Sequence, residues 1–267
     1  MRPLEVEGVL AIPVAAAMGL LLGSFLNVCI HRWPRDLSVV WPGSHCVVCR
    51  HRIAWYDNVP VASYAALGGR CRHCRTSISW RYAMVEATVA LLFAAAVWRW
   101  GLTGAAAKFA VFGFLQVGMI FTDLETRLLP DQFTKGGMAL GFVAAALLPL
   151  RGGFGELLWR GDPWVGSLIE AGLGAGVTSG VLWAMGWVYG KVRHREGLGF
   201  GDVKMVAMIG AFLGLGGALA TLMIGGIAGT LIGLGYIYWF KKDASTFELP
   251  FGTFLGAAAI VVAYWRG

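Results

Sequence analysis

Residues 203–240 read VKMVAMIGAFLGLGGALATLMIGGIAGTLIGLGYIYWF, and Lys204 is the one charged residue in this apolar run. About 20 such residues cross a bilayer core as a helix. The run is therefore too long for one crossing, and at that length per span it divides into spans near 203–216 and 218–240. Working outward with the same measure places further spans near 8–30, 82–100, 104–122, 133–150, 164–190 and 249–265. The fold class this predicts is an all-α polytopic membrane protein of about eight transmembrane helices. Bulk composition agrees. Of 267 residues, 57% are hydrophobic and 14% charged, with a mean hydropathy of +0.66, which is more apolar than a soluble domain. The 39 glycines suit membrane helices whose backbones approach closely, and the apolar content excludes a disordered chain.

A net charge of +7 would raise nucleic acid as a partner in a soluble protein. Here the charges follow the spans instead. With eight alternating crossings, Arg2, Arg99, Lys108, Arg151, Arg160 and Arg266 fall on one side, and the remaining sixteen of the 22 Lys and Arg fall on the other. The positive-inside rule assigns the richer side to the cytoplasm. Both termini then lie outside, and the loops after spans one, three, five and seven are cytoplasmic. The expected organisation is a first transmembrane helix over 1–30, a cytoplasmic loop domain over 31–81 and a helical bundle over 82–267.

The segment 31–81 is polar, rich in Arg and His, and holds four of the five cysteines. So small a domain has a marginal core and needs a staple. Cys46-Val-Val-Cys49 and Cys71-Arg-His-Cys74 supply one, because paired C-x-x-C knuckles at this separation match four-thiolate zinc sites. Four thiolates close a tetrahedron and leave no position for chemistry, so the metal is expected to be structural. A disulfide or redox pair is the alternative, and a reducing cytoplasm disfavours it. His45, His51 and His73 lie beside the cysteines and are read as solvated. Cys29, inside the first span, is read as a small apolar residue.

Carboxylates at membrane spans are costly and become functional candidates by default. Asp123 ends the third span and Asp202 opens the sixth, within Gly199-Phe-Gly201-Asp202-Val-Lys204. Two carboxylates sharing one proton can perform aspartyl protease chemistry, one activating water and the other polarising the scissile carbonyl. Helix-end acids with a dipole role are the plain alternative. Glu125 and Asp131 are read as solvated. Glu86 is expected to bind an internal partner or a substrate amine.

Taken in order, these stretches resemble the type IV prepilin peptidases. The resemblance is carried by Gly23-Ser-Phe-Leu-Asn27-Val-Cys-Ile-His-Arg32-Trp-Pro34, Ile53-Ala-Trp55-Tyr56-Asp57-Asn58-Val-Pro60-Val-Ala-Ser63-Tyr64 and both cysteine knuckles. Thr122-Asp123-Leu-Glu-Thr-Arg-Leu-Leu-Pro130-Asp131, Gly199-Phe-Gly201-Asp202-Val-Lys204-Met and Leu249-Pro250-Phe251-Gly252 complete it. One departure is Ala83, where the family usually has proline between Tyr82 and Glu86. The resemblance implies that Asp123 and Asp202 are the catalytic pair. It also implies cleavage of a basic leader after glycine, at the cytoplasmic face of a bacterial inner membrane, with type IV prepilins or secretion-system pseudopilins as substrates. It further implies methylation of the new N-terminus from S-adenosylmethionine; no dinucleotide-type glycine fingerprint accompanies this, and its cofactor-binding residues are not assigned. The rival readings are a transporter or proton relay built on the intramembrane acids, and a zinc-bearing membrane assembly factor without catalysis.

Overall fold

The structure, a computed structural model, describes residues 6–150, 153–193, 199–240 and 249–266. Arg2, Arg151, Arg195, Lys241 and Lys242, which entered the charge sorting, lie outside them. The elements in chain order are α1 (Val6–Arg32), two 3-10 turns (Trp33–Arg35 and Trp55–Asn58), α2 (Ala62–Ala66), α3 (Arg81–Trp100), α4 (Gly104–Thr126), α5 (Asp131–Leu147), α6 (Phe154–Leu158), α7 (Pro163–Arg193), α8 (Phe200–Phe240) and α9 (Phe251–Arg266). Among the described residues, strand-type pairing is confined to two isolated bridges, His45 with Arg52 and Arg70 with Ser77. Helices α1, α3, α4, α7 and α8 are long and apolar enough to cross a membrane. Their outward faces carry exposed Leu10, Leu21, Leu91 and Leu231, as suits lipid-facing helices. The chain falls into two compact units, Met1–Gly118 and Met119–Gly267, so the 31–81 segment belongs with the helices that flank it.

In the first unit, α1 and α3 run antiparallel with their backbones in contact. A Cβ added at Gly19 or Gly23 would lie 2.6 or 2.7 Å from the Cα of Ala90 or Glu86. Glycines four residues apart form the small-residue stripe that permits such an approach in a membrane. One turn further along α1, Asn27 Nδ2 donates to the Tyr82 carbonyl at 3.0 Å, so the stripe ends in a polar clasp. Arg32 then receives the departing chain, donating to the Ser38 and Pro42 carbonyls at 2.8 and 2.7 Å.

In the second unit, α8 doubles back. Gly214 has φ 70° and ψ −177°, a backbone region almost closed to residues with a Cβ. Before it, Gly252 and Gly256 of α9 approach Asp202 and Met205, so the two helices run parallel. After it, Gly225 and Gly233 approach Leu255 and Leu249, so they run antiparallel. The expected junction near residue 217 therefore lies at Gly214. Buried Glu170 of α7 fastens the reversal: its carboxylate accepts the Leu215 N–H at 2.8 Å and the Gly155 N–H of α6 at 2.9 Å.

Candidate active site and metal-binding cluster

Three helix ends meet in the second unit. Helix α4 stops because Arg127 takes a left-handed conformation (φ 57°) with its N–H on the Asp123 carbonyl at 3.0 Å, and Pro130 follows. This leaves Asp123 in the last turn of α4. Asp202 lies in the first turn of α8, its N–H on the Gly199 carbonyl at 3.1 Å. The start of α9 contributes Gly252, where an added Cβ would lie 3.2 Å from Asp123 Oδ2 and 3.2 Å from Asp202 Oδ1. The two oxygens are thus no more than twice that distance apart, and glycine is the residue whose missing side chain leaves the space between them. Asp123 is 6% exposed and Asp202 half-buried. Two carboxyl groups brought together in this way, one of them buried, are the arrangement that aspartyl protease chemistry draws on.

Thr253 is a neighbour of this pair that the sequence does not point to. Its backbone N–H and its hydroxyl both reach Asp123 Oδ2, at 2.7 and 2.8 Å. These two bonds fix the orientation of that carboxylate. The only signal in the sequence is the adjacency of Thr253 to Leu249-Pro250-Phe251-Gly252.

The reading of Asp131 as solvated gives way in part. Its carboxylate is exposed, yet it binds Lys204 of α8 through one oxygen and Lys135 of α5 through the other, the latter at 2.6 Å. The opening turns of α5 and α8 are thereby joined beside Asp202. Glu125 is exposed on α4.

In the first unit, Cys46, Cys49, Cys71 and Cys74 converge, with all four sulfurs within 4.8 Å of one another. Cys46 and Cys74 Sγ are 3.8 Å apart. A tetrahedral shell with Zn–S of about 2.3 Å requires neighbouring sulfurs at about that separation, so this cluster of four cysteines could hold a metal ion. The knuckles repeat one geometry. Arg50 N–H returns to the Cys46 carbonyl and Arg75 N–H to the Cys71 carbonyl, both at 3.0 Å, and both arginines have φ near +60°. Amides of Cys49 and Val48 directed at the Cys46 sulfur lower its thiol to about 6, whereas Cys49, despite an amide bond from His51 that lowers it, is carried up to about 11 by burial and by its neighbouring cysteines; without a metal, Cys46 is thus the first of the two to become thiolate. The His51 and His73 rings lie against each other at a tilt of 35°, with centroids 3.4 Å apart. Arg72 grips Asp57 through Nε and Nη2 at 2.7 and 2.5 Å and holds that carboxyl below the usual range.

Glu86 has an internal partner. Its Oε2 accepts the Val61 N–H at 2.8 Å. Val61 has φ 59° and ψ −47°, with the Ala62 N–H on the Pro60 carbonyl at 2.6 Å. This is a strained γ-turn, disfavoured for a β-branched residue.

Residues 17–100 match the family model described as the bacterial peptidase A24 N-terminal domain, and residues 109–234 match that of the type IV leader peptidase family. Gly252 and Thr253 fall outside both stretches. Curated relatives that cover nearly the whole chain bear the name prepilin leader peptidase/N-methyltransferase. The Pseudomonas putida protein is 32% identical over 284 residues, covering 98% of this chain and 93% of the relative. The Xanthomonas campestris pv. campestris protein is 33% identical over 279 residues, covering 96% and 92%. That of Pseudomonas aeruginosa is 30% identical over 271 residues, covering 93% and 88%. No solved structure matches the chain at a significant level.

Proposed function

The chain belongs to the type IV leader peptidase family, and from that premise we propose that it is a membrane endopeptidase removing the leader of type IV prepilins or pseudopilins and then methylating the new N-terminus. The observation that carries the first activity is the pair Asp123 and Asp202, whose carboxylate oxygens flank the position of the missing Gly252 side chain. In the proposed reaction the pair shares one proton. The ionised carboxylate takes a proton from water as it attacks the scissile carbonyl, and the protonated one donates to the developing oxyanion. Thr253 holds Asp123 in place through its two hydrogen bonds, and Gly252 leaves room for an extended substrate backbone.

The helices cross the bacterial inner membrane eight times in this reading, with α8 supplying two crossings on either side of Gly214. Residues 31–81 and the two aspartates then face the cytoplasm, where the positive-inside rule keeps a basic leader. The four cysteines hold one structural zinc, whose closed shell leaves catalysis to the carboxylates. S-adenosylmethionine would supply the methyl group. That activity is supported by the relatives' names alone, and no residues are assigned to hold the cofactor.

The test is incubation of the purified full-length protein with a prepilin in detergent, followed by mass measurement of the product. Cleavage after the leader's glycine with a further methyl mass is expected. An intact prepilin, under conditions where the protein stays folded, overturns the proposal. The transporter and assembly-factor readings find no support in relatives that are named as enzymes.

A further inference from the structure

The segment between α1 and α3 is chemically unlike a protein surface meant for water alone. Residues 33–80 contain six arginines and two aspartates, with no lysine or glutamate. Asp57 is already bound to Arg72. A four-thiolate zinc centre would add two negative charges and still leave the segment net positive. Large apolar side chains stand out among these charges: Val40, Trp41 and Trp55 are 83%, 78% and 83% exposed, and Val47 and Val48 project from the first knuckle.

Two cavities flank Trp41-Pro42-Gly43. On one side lies a shallow cavity of about 340 Å³ lined by Trp41, His45, Arg50 and Arg52. On the other lies a second cavity of about 280 Å³, between the loop and α1. Its apolar wall is Leu21, Phe25 and Val28, and its polar wall includes Arg32, Ser44 and Asn58. Leu21 and Phe25 belong to the exposed outer face of a helix apolar enough to cross the membrane. An acyl chain along that face would bring its headgroup to Arg32, with Arg50 and Arg52 on the far side of Pro42.

We propose that this face of the cysteine-cluster segment docks on anionic phospholipid headgroups, with Trp41 in the interfacial layer and Arg32, Arg50 and Arg52 contacting lipid phosphates. Three arguments select this occupant. Both ends of the segment continue into α1 and α3, which hold it at the bilayer surface. Exposed tryptophan interleaved with arginine is the composition of an interfacial anchor. A basic leader peptide, the substrate in the reading above, would be repelled by the same arginines. The inference rests on that reading only in taking residues 31–81 to lie outside the bilayer.

The experiment uses the full chain in nanodiscs of phosphatidylcholine, with or without about one third phosphatidylglycerol. Hydrogen exchange is followed in peptides covering residues 39–56. Exchange there is expected to slow several-fold in the anionic discs and to return to the neutral-disc rate at high salt. Each arginine is expected to contribute roughly a fivefold change in surface affinity. Trp41→Ser with Arg50→Gln and Arg52→Gln should remove the lipid-dependent protection while metal content and exchange in α1 and α3 stay the same, which separates lost docking from lost folding. Inorganic phosphate added to neutral discs should give no protection. Equal exchange in both lipids overturns the proposal, as does protection that survives in the triple variant or that arises only when an acidic protein or a prepilin is added. None of these readouts depends on cleavage, so failure here is distinguishable from failure of the peptidase reading.

Discussion

Thr253 places its backbone N–H and its hydroxyl on one oxygen of Asp123, at 2.7 and 2.8 Å. A carboxylate held twice at one oxygen has its rotation fixed, and its other oxygen takes a set direction. Thr253→Val removes one of the two bonds and should lower kcat by roughly tenfold to a hundredfold, the range for a hydrogen bond to a charged group. Thr253→Ser should retain most activity. Equal activity of all three proteins in a prepilin cleavage assay contradicts a positioning role.

Asp123→Asn and Asp202→Asn should each cost about 10²-fold to 10⁴-fold or more in cleavage while leaving expression and membrane insertion intact. Gly252→Ala tests the same space from the backbone side, since its Cβ would sit 3.2 Å from both carboxylates. It should lower activity by about tenfold or more through displacement of the pair. Asp131→Asn breaks exposed ion pairs of small energetic value and should keep much of the activity. Total loss there, with either Asp123→Asn or Asp202→Asn active, reassigns the pair.

Elemental analysis of the purified protein should find about one zinc per chain. Cys46→Ser with Cys71→Ser should release it, and residues 33–80 should then become protease-sensitive before the helices do, because a segment of this size has little core of its own. Absence of metal, or iron in its place, removes the zinc assignment.

Glu86→Gln should loosen the Val61 turn. The glutamine amide keeps an acceptor oxygen for the Val61 N–H but not the charge, which weakens the bond by about 1 kcal/mol, and the turn it holds is strained. A lower melting temperature is expected, together with faster hydrogen exchange around Val61. An unchanged melting temperature means that the turn is supported elsewhere.

Leu124 is exposed beside Asp123, and Trp159 is exposed after α6. Leu124→Cys should react with a thiol reagent from the cytoplasmic side only, and Trp159→Cys from the opposite side only. The reverse pattern excludes a basic leader held in the cytoplasm from reaching the aspartates.

Sequence alone was enough for the membrane class, because an apolar run such as 203–240 has no other stable solvent. It was also enough to nominate the four-cysteine cluster, because each C-x-x-C knuckle pairs its own sulfurs by local geometry, although bringing Cys46 to Cys74 across 28 residues was left to the fold. The motifs around Asp123 and Asp202 nominated those carboxylates as candidates, but no sequence spacing could relate residues 79 positions apart. Folding decided that. The kink at Gly214 turns α8 back, α9 returns antiparallel to its second half and parallel to its first, and Gly252 and Thr253 arrive beside the two aspartates. Thr253 was invisible beforehand because its role lies in a contact across 130 residues. The partners of Glu86 and Asp131 were hidden for the same reason: a carboxylate's chemistry can be read from the chain, whereas its neighbours are set by packing.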